Sequence, residues 1–321
     1  MSRPNRHRLP RRRAAILASL GALGALAFLP ACAGTSAEDG SAPPEGPAVV
    51  ASFYPLAWLS ERIAGPDASV EVLTEPGAEP HDLELTPRQV VEVGEAQLVV
   101  YLEGLQPAVD KAVQQHAART AFDAASQVEL LPAAEVEEEE QHGEEEQHGD
   151  FDPHLWLDPA RFADVATKLG DRFAQIDPAH ADGYRARAEQ VVDDLNALDR
   201  SFREGLATCS DKTIVTSHAA FGYLTERYGL RLVAISGLDP EAEPSPGRVT
   251  EVARVAREEG VRTIFFETLV SPKVAKVLAQ EVGAKTAVLD PVEGLPLGSS
   301  DDYLSVMRRN LATLRTALGC R

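Results

Sequence analysis

Apolar residues in this chain come in two rhythms. Short β-rich runs alternate with longer stretches in which apolar positions recur at helical spacing. Val49–Phe53, Val70–Leu73, Leu98–Leu102 and Val128–Leu131 read as strands, and Leu56–Ala64, Thr86–Gln97 and Pro107–Ala118 as the helices between them. Thr86 is placed to cap its helix, with Pro87 at the first helical position. The pattern returns after Cys209. Strands are expected at Thr213–Thr216, Arg231–Ile235, Thr263–Phe266 and Thr286–Leu289, with helices at Ala220–Tyr228, Arg248–Glu259, Pro272–Val282 and Tyr303–Leu318. Strands that alternate with helices predict an α/β fold with mostly parallel sheets, covered by helices on both faces. Two such Rossmann-like lobes are expected, without detectable sequence repetition between them.

Two helices lie between the halves, one at Pro159–Ala174 and a longer one from Pro178 to Leu206. The second opens on Asp177-Pro178 and has Gly205 near its end, as helix start and stop signals require. At 1.5 Å per residue it would span roughly 40 Å, enough to join both lobes as one stiff member. The expected organisation is a leader at 1–31, a tether at 32–47, a first lobe at 48–158, connecting helices at 159–207 and a second lobe at 208–321.

The leader carries six arginines between Arg3 and Arg13, then an apolar run from Ala14 to Leu29 that is short for a membrane span. Leu-Pro-Ala-Cys closes it at Cys32, resembling a bacterial lipobox, so cleavage before Cys32 and acylation of its thiol are expected; simple secretion is the alternative. The arginine cluster suits a plain positive leader and leaves twin-arginine export open. Residues 33–47 have the Gly/Ser/Pro/Glu composition of a flexible tether.

Composition narrows the partners. A formal charge of −19 speaks against nucleic acid and anionic membranes, which call for a basic patch. The stretch 135–150 holds nine acids and a repeated Gln-His-Gly unit at His142 and His148. It has too little apolar content to build a core and is expected to be a disordered loop. Weak capture of divalent ions by His142 and His148 is one reading of it, plain acidic surface the other. Cys209 and Cys320 are the cysteines left after Cys32. In an exported chain they are expected to pair and pin the C-terminus to the start of the second lobe, two buried free thiols being the alternative.

The chemistry converges on four loop positions. They are His81 in Glu-Pro-His-Asp, His154 in Asp-Pro-His-Leu-Trp-Leu-Asp-Pro, His218 in Thr-Ser-His-Ala-Ala-Phe, and Asp290 in Leu-Asp-Pro. Imidazole nitrogens with a carboxylate oxygen form a normal tetrahedral set for Zn²⁺. Their intervals of 73, 64 and 72 residues mean that only the whole fold could gather them. Open α/β sheets bind ligands beyond the carboxyl ends of their strands, and His81, His218 and Asp290 each follow an expected strand. Pro153 and Pro159 bracket His154. Glu267, at the end of its strand, is expected to orient an imidazole; a cap or surface ion pair is the other reading.

Together with Ser52-Phe-Tyr-Pro-Leu, Pro76-Gly-Ala-Glu-Pro-His-Asp-Leu-Glu-Leu-Thr-Pro, Ser217-His-Ala-Ala-Phe-Gly-Tyr-Leu and Gly237-Leu-Asp-Pro-Glu-Ala-Glu-Pro-Ser-Pro, these motifs resemble the metal-binding lipoproteins of bacterial ABC importers, the zinc and manganese group that includes ZnuA-like proteins. The resemblance covers nearly all of 48–321. It implies two α/β lobes joined by a long rigid helix, with the metal site in the cleft between them. It also implies three histidine ligands at His81, His154 and His218 and a carboxylate at Asp290. Its partners would be an ABC permease and its ATPase subunit. The protein would act as a monomer, anchored by lipid outside the cytoplasm, at the cell surface or in the periplasm, without enzymatic activity.

Manganese members commonly carry a glutamate at the third position, where this chain has His218, and three imidazoles favour Zn²⁺ over the harder Mn²⁺. A glutamate directly before the first histidine, used by some zinc members, is excluded by Pro80. Zn²⁺ is therefore the expected cargo, with a manganese-preferring importer component as the nearest alternative. An exported zinc hydrolase is the rival from another class. Catalytic zinc usually keeps one position open for water, and this chain has neither that vacancy in its expected ligand set nor a His-Glu-x-x-His motif.

Overall fold

The computed structural model describes residues 46–133 and 151–321. The expected leader, Cys32, nearly all of the tether and the acidic stretch with His142 and His148 lie outside these residues. In the first half, β1 (Ala48–Ala51), β2 (Ser69–Val72), β3 (Leu98–Tyr101) and β4 (Ala121–Asp123) form a sheet in the order β2-β1-β3-β4. Helices α1 (Tyr54–Ala64), α2 (Pro87–Glu95) and α3 (Pro107–Ala112) connect them, α3 running on as a π turn at Val113–Ala117. Thr86 caps α2 through a reciprocal pair with Gln89.

The second half repeats this topology. Strands β5 (Thr213–Thr216), β6 (Arg231–Ala234), β7 (Thr263–Phe266) and β8 (Lys285–Val288) lie in the order β6-β5-β7-β8. Their helices are α6 (Gly222–Tyr228), α7 (Pro246–Glu258), α8 (Lys273–Val282) and α9 (Tyr303–Ala317), while α4 (Pro159–Ile176) and α5 (Ala181–Leu206) lie between the halves. Every strand pairing in both sheets is parallel. In each sheet the winding reverses beside the central strand, so the loops leaving β1 and β3, or β5 and β7, splay apart and open a crevice.

One expected strand is absent. Val128–Leu131 makes no ladder; its apolar side chains pack on the core from an irregular segment. The edge strand comes earlier, at β4. There Asp123 ends the strand by accepting the backbone N–H groups of Ala125 at 2.9 Å and Ser126 at 3.0 Å. Beyond it, Pro132 bridges Phe151 in antiparallel fashion and the Asp152 N–H reaches the Leu131 carbonyl at 2.9 Å. The described segments on either side of the acidic stretch thereby lie together.

The 26 residues of α5 extend about 39 Å at 1.5 Å per residue. Tyr184, Ala188, Val191, Leu195, Leu198, Phe202 and Leu206 are buried along one side of it, spaced by three or four residues. That side lies on α4 and reaches α1 of the first half and α6 and α9 of the second. Trp58 of α1 meets Tyr303 of α9 with ring centroids 4.8 Å apart, and residues of both halves belong to one continuous core. An interface that large and apolar holds the halves at fixed separation, unlike a hinge of two or three extended strands.

Arg227 adds a polar tie, 3.0 Å from Asp158 at the start of α4 and 2.6 Å from Asp199 on α5. Cys209 and Cys320 form the expected disulfide, and Ser210 and Asp211 donate beside it to the Leu318 carbonyl, each at 3.1 Å. Among the described residues no helix is long and apolar enough to cross a membrane.

Candidate metal centre

His218 follows β5 and Glu267 follows β7, on either side of the second crevice. Glu267 Oε1 lies 2.7 Å from His218 Nδ1. With the Nδ1 hydrogen committed to this carboxylate, Nε2 presents its lone pair to the interior. His154 is held in the same manner. Asp152 Oδ1 accepts the His154 backbone N–H at 2.9 Å and sits 2.7 Å from its Nδ1. His81 comes from the loop after β2, where Gln106 Nε2 donates to the Pro80 carbonyl at 3.1 Å and to Thr74 Oγ1 at 3.0 Å. Both imidazoles that the sequence places far apart are thus oriented by a neighbouring carboxylate, and the third by its loop.

The three rings converge with Glu293. One ligand atom from each of His81, His154, His218 and Glu293 lies within 4.8 Å of all the others, and all four residues are buried. Glu293 Oε1 is 3.1 Å from His154 Nε2, 3.4 Å from His218 Nε2 and 3.5 Å from His81 Nε2, and the last two rings of the central trio, His154 and His218, have their Nε2 atoms 3.4 Å apart. A tetrahedron with bonds near 2.05 Å has ligand–ligand edges of about 3.3 Å, so these separations fit Zn²⁺. Despite their closeness, Glu293 Oε1 and His81 Nε2 have no hydrogen-bond partner. Buried polar atoms are normally satisfied. Here both belong to one cluster of ligand atoms, where a bound cation would satisfy them.

The fourth position corrects the sequence expectation. Asp290 is not in the group; Glu293, three residues on, takes its place. Both oxygens of Asp290 are engaged elsewhere, Oδ2 by the Thr268 hydroxyl at 2.8 Å and Oδ1 by the Val292 N–H at 2.8 Å. The chain then turns through Pro291 and Val292 before Glu293 enters the cluster. The signal available in the sequence was a second carboxylate in Asp290-Pro291-Val292-Glu293; the Asp-Pro punctuation drew attention to the wrong one. Asp152, two residues before His154, gives no sign in the sequence of being its partner. Glu267 stands where an orienting carboxylate was expected. His142 and His148 lie outside the described residues.

Burial and charge act in opposite directions here. Burial disfavours the His218 imidazolium, but Glu267 and Glu293 outweigh it and hold its pKa well above the usual histidine value. His154 is raised too, against its burial, by Asp152 and Glu293. His81, buried with weaker carboxylate support, is lowered. Burial alone would raise Glu293, yet the three imidazoles, His218 foremost, keep it well below the usual carboxylate range. Glu79, two residues before His81, is pushed up to about 8 by burial and by the charge of Glu293. Glu293 also lines a cleft of about 360 Å³ with Tyr54, Trp58, Glu61, Pro76 and Leu297.

The family profile described as "Zinc-uptake complex component A periplasmic" matches residues 49–317. The zinc-binding lipoprotein AdcA of Streptococcus pneumoniae is 36% identical over 308 residues, covering 94% of this chain and 60% of AdcA; the chain thus spans under two thirds of that protein's length. The high-affinity zinc uptake system protein ZnuA of Bacillus subtilis is 34% identical over 306 residues, covering 92% of this chain and 96% of ZnuA. In three dimensions the chain is similar to the Zn(II)-bound ZnuA-like domain of S. pneumoniae AdcA, with a TM-score of 0.72 and 33% identity over 85% of this chain and 99% of that one. Matched over most of its length by the profile and by these relatives, the chain belongs to the family of periplasmic zinc-uptake component A proteins.

Proposed function

We propose that the protein binds one Zn²⁺ between its two halves through His81, His154, His218 and Glu293, and delivers it to an ABC permease and its ATPase subunit. The observation that carries this reading is the convergence of four buried ligand atoms from four separate loops, two of them without any other partner. Three imidazoles and one carboxylate favour Zn²⁺ over Mn²⁺. Four protein ligands close the coordination sphere and leave no position for the activated water of a hydrolase. The protein therefore binds and releases its ion without making or breaking other bonds. The leader and Cys32 fit an extracytoplasmic protein held to the membrane by lipid, and the lipoprotein relative supports that reading. The acidic stretch with His142 and His148 precedes Asp152 and His154 in the sequence, and its carboxylates and imidazoles would capture divalent ions weakly.

Competitive titration of the metal-stripped protein with Zn²⁺ and Mn²⁺ at neutral pH, counting bound ions, tests this. One tight Zn²⁺ site that Mn²⁺ does not displace, lost in His218→Ala, is the expected result. Comparable affinity for Mn²⁺ reassigns the cargo, and no tight site at all overturns the reading.

A further inference from the structure

Asp290 holds no ligand position, yet its surroundings are more tightly specified than those of a turn residue. Its backbone N–H donates to Asn310 Oδ1 at 3.0 Å and its carbonyl accepts from Asn310 Nδ2 at 2.6 Å. Its carboxylate takes the Thr268 hydroxyl and the Val292 N–H, each at 2.8 Å. The next carbonyl, that of Pro291, accepts from Trp156 Nε1 at 2.7 Å. Asp290 is therefore pinned from α9 and from the loop after β7, and Pro291 from the His154 loop.

Val292 shows what the pinning achieves. It has φ 61°, and among the described residues no other non-glycine residue has a positive φ. A β-branched side chain disfavours this region of backbone space strongly, and Val292 is fully buried. Backbone held in a sparsely populated conformation persists only where surrounding contacts over-determine it. Here the contact is an Asx turn, in which the Asp290 side chain receives the N–H two residues on.

We propose that Asp290 is a positioning residue for the metal site. By holding the Val292 N–H it keeps the valine at positive φ, and that conformation aims the Glu293 carboxylate at the three imidazoles before any ion arrives. If Val292 relaxed to negative φ, the peptide leading into Glu293 would rotate and the carboxylate would leave the cluster. A ligand aimed in advance loses less conformational freedom on binding, which is how a supporting residue strengthens a site it never touches. The inference rests on the proposed function, because it concerns the ion that the cluster holds.

The test measures Zn²⁺ affinity by chelator competition, with circular dichroism as the fold control, for wild type, Asp290→Ala, Asp290→Asn and the double variant Asp290→Ala/Val292→Gly. Asp290→Ala should lose about 10- to 100-fold in affinity, the range typical of residues that orient a ligand. Asp290→Asn should stay close to wild type, since its amide oxygen still accepts the Val292 N–H. The double variant should regain most of the lost affinity, because glycine adopts positive φ without help. Should Asp290→Ala fail to fold, a folded, zinc-binding double variant supports the inference and an unfolded one overturns it. An Asp290→Asn variant as weak as Asp290→Ala, an unaffected Asp290→Ala, or a double variant without recovery each overturns it. Absence of tight zinc binding in wild type defeats the proposed function itself; a tight wild-type site with the variant pattern reversed defeats only the positioning role.

Discussion

The indole N–H of Trp156 donates to the carbonyl of Pro291 across 2.7 Å. Trp156 lies two residues from His154 and Pro291 lies two residues from Glu293, so this bond ties one ligand loop of the first half to one of the second. Tyr303 extends the tie, its hydroxyl donating to the Trp156 carbonyl at 2.6 Å. The indole is fully buried and meets Phe53 edge-on with centroids 4.9 Å apart. Its packing and its polar contact therefore both bear on the relative placement of two ligands.

Trp156→Phe separates those contributions. Phenylalanine keeps an aromatic ring against Phe53 but leaves the buried Pro291 carbonyl without a donor, which costs about 1–3 kcal/mol. Urea unfolding of the metal-free variant should show an unfolding free energy lowered by that amount, and Zn²⁺ affinity should fall with it. Lower stability with undiminished affinity would show that the tie matters to the fold and not to the site.

Glu267→Ala should act on the site alone. It removes the carboxylate 2.7 Å from His218 Nδ1, so the ring loses its orientation and affinity drops about 10- to 100-fold. It also removes the leading influence that raises His218, so protons compete less with the ion. The affinity deficit should therefore be largest near pH 8 and shrink toward pH 6, around the histidine range. Affinity curves that run parallel across that interval would contradict this account.

The sequence made most of this architecture legible for identifiable reasons. β-Rich runs bounded by helix signals located seven of the eight strands within a residue or two, the inner ones because a buried parallel strand is a short continuous apolar run. The exception was Val128–Leu131, equally apolar but packed from an irregular segment. Periodicity reports burial there and says nothing of ladder bonds. The three histidines were legible because each follows a proline or serine in its own loop, two of them after a strand and His154 just before a helix start. Glu293 was not, because its place depends on a turn through Val292 at positive φ, and a valine gives no local sign of that conformation. Asp152 and Glu267 lie two and forty-nine residues from the rings they orient; only the second follows a strand.

Reduction of the Cys209–Cys320 disulfide should lower stability without touching the site. The bridge closes a loop of 111 residues. Removing such a bridge typically costs about 2–5 kcal/mol, mostly through the freedom restored to the unfolded chain. A Cys209→Ser/Cys320→Ser variant should unfold at lower urea while its Zn²⁺ affinity stays unchanged, because neither residue belongs to an element that carries a ligand. A matching loss of affinity would mean that the C-terminal helix, through Asn310 and Asp290, communicates with the site.

Metal-dependent stability should grow with pH, and the direction follows from the buried histidines. In the metal-free protein His218 and His154 are raised above the unfolded value of about 6.5, against their burial, by Glu267, Asp152 and Glu293. A group raised on folding stabilises the folded state fully below its unfolded pKa, and that contribution is lost as pH climbs through the folded value. The metal-free protein should thus lose stability above about pH 6.5 as these imidazoles deprotonate. Zn²⁺ requires the deprotonated rings, so binding strengthens over the same window and expels protons from His154 and His218. His81, lowered by burial, competes less for protons than the other two rings. The gap in melting temperature between zinc-bound and metal-free protein should widen from about pH 6 to about pH 8. Calorimetric titration in two buffers of different ionisation enthalpy should show proton release on binding at neutral pH. A gap that stays constant or narrows, with no protons released, would mean that the imidazolium–carboxylate cluster does not form in the metal-free protein.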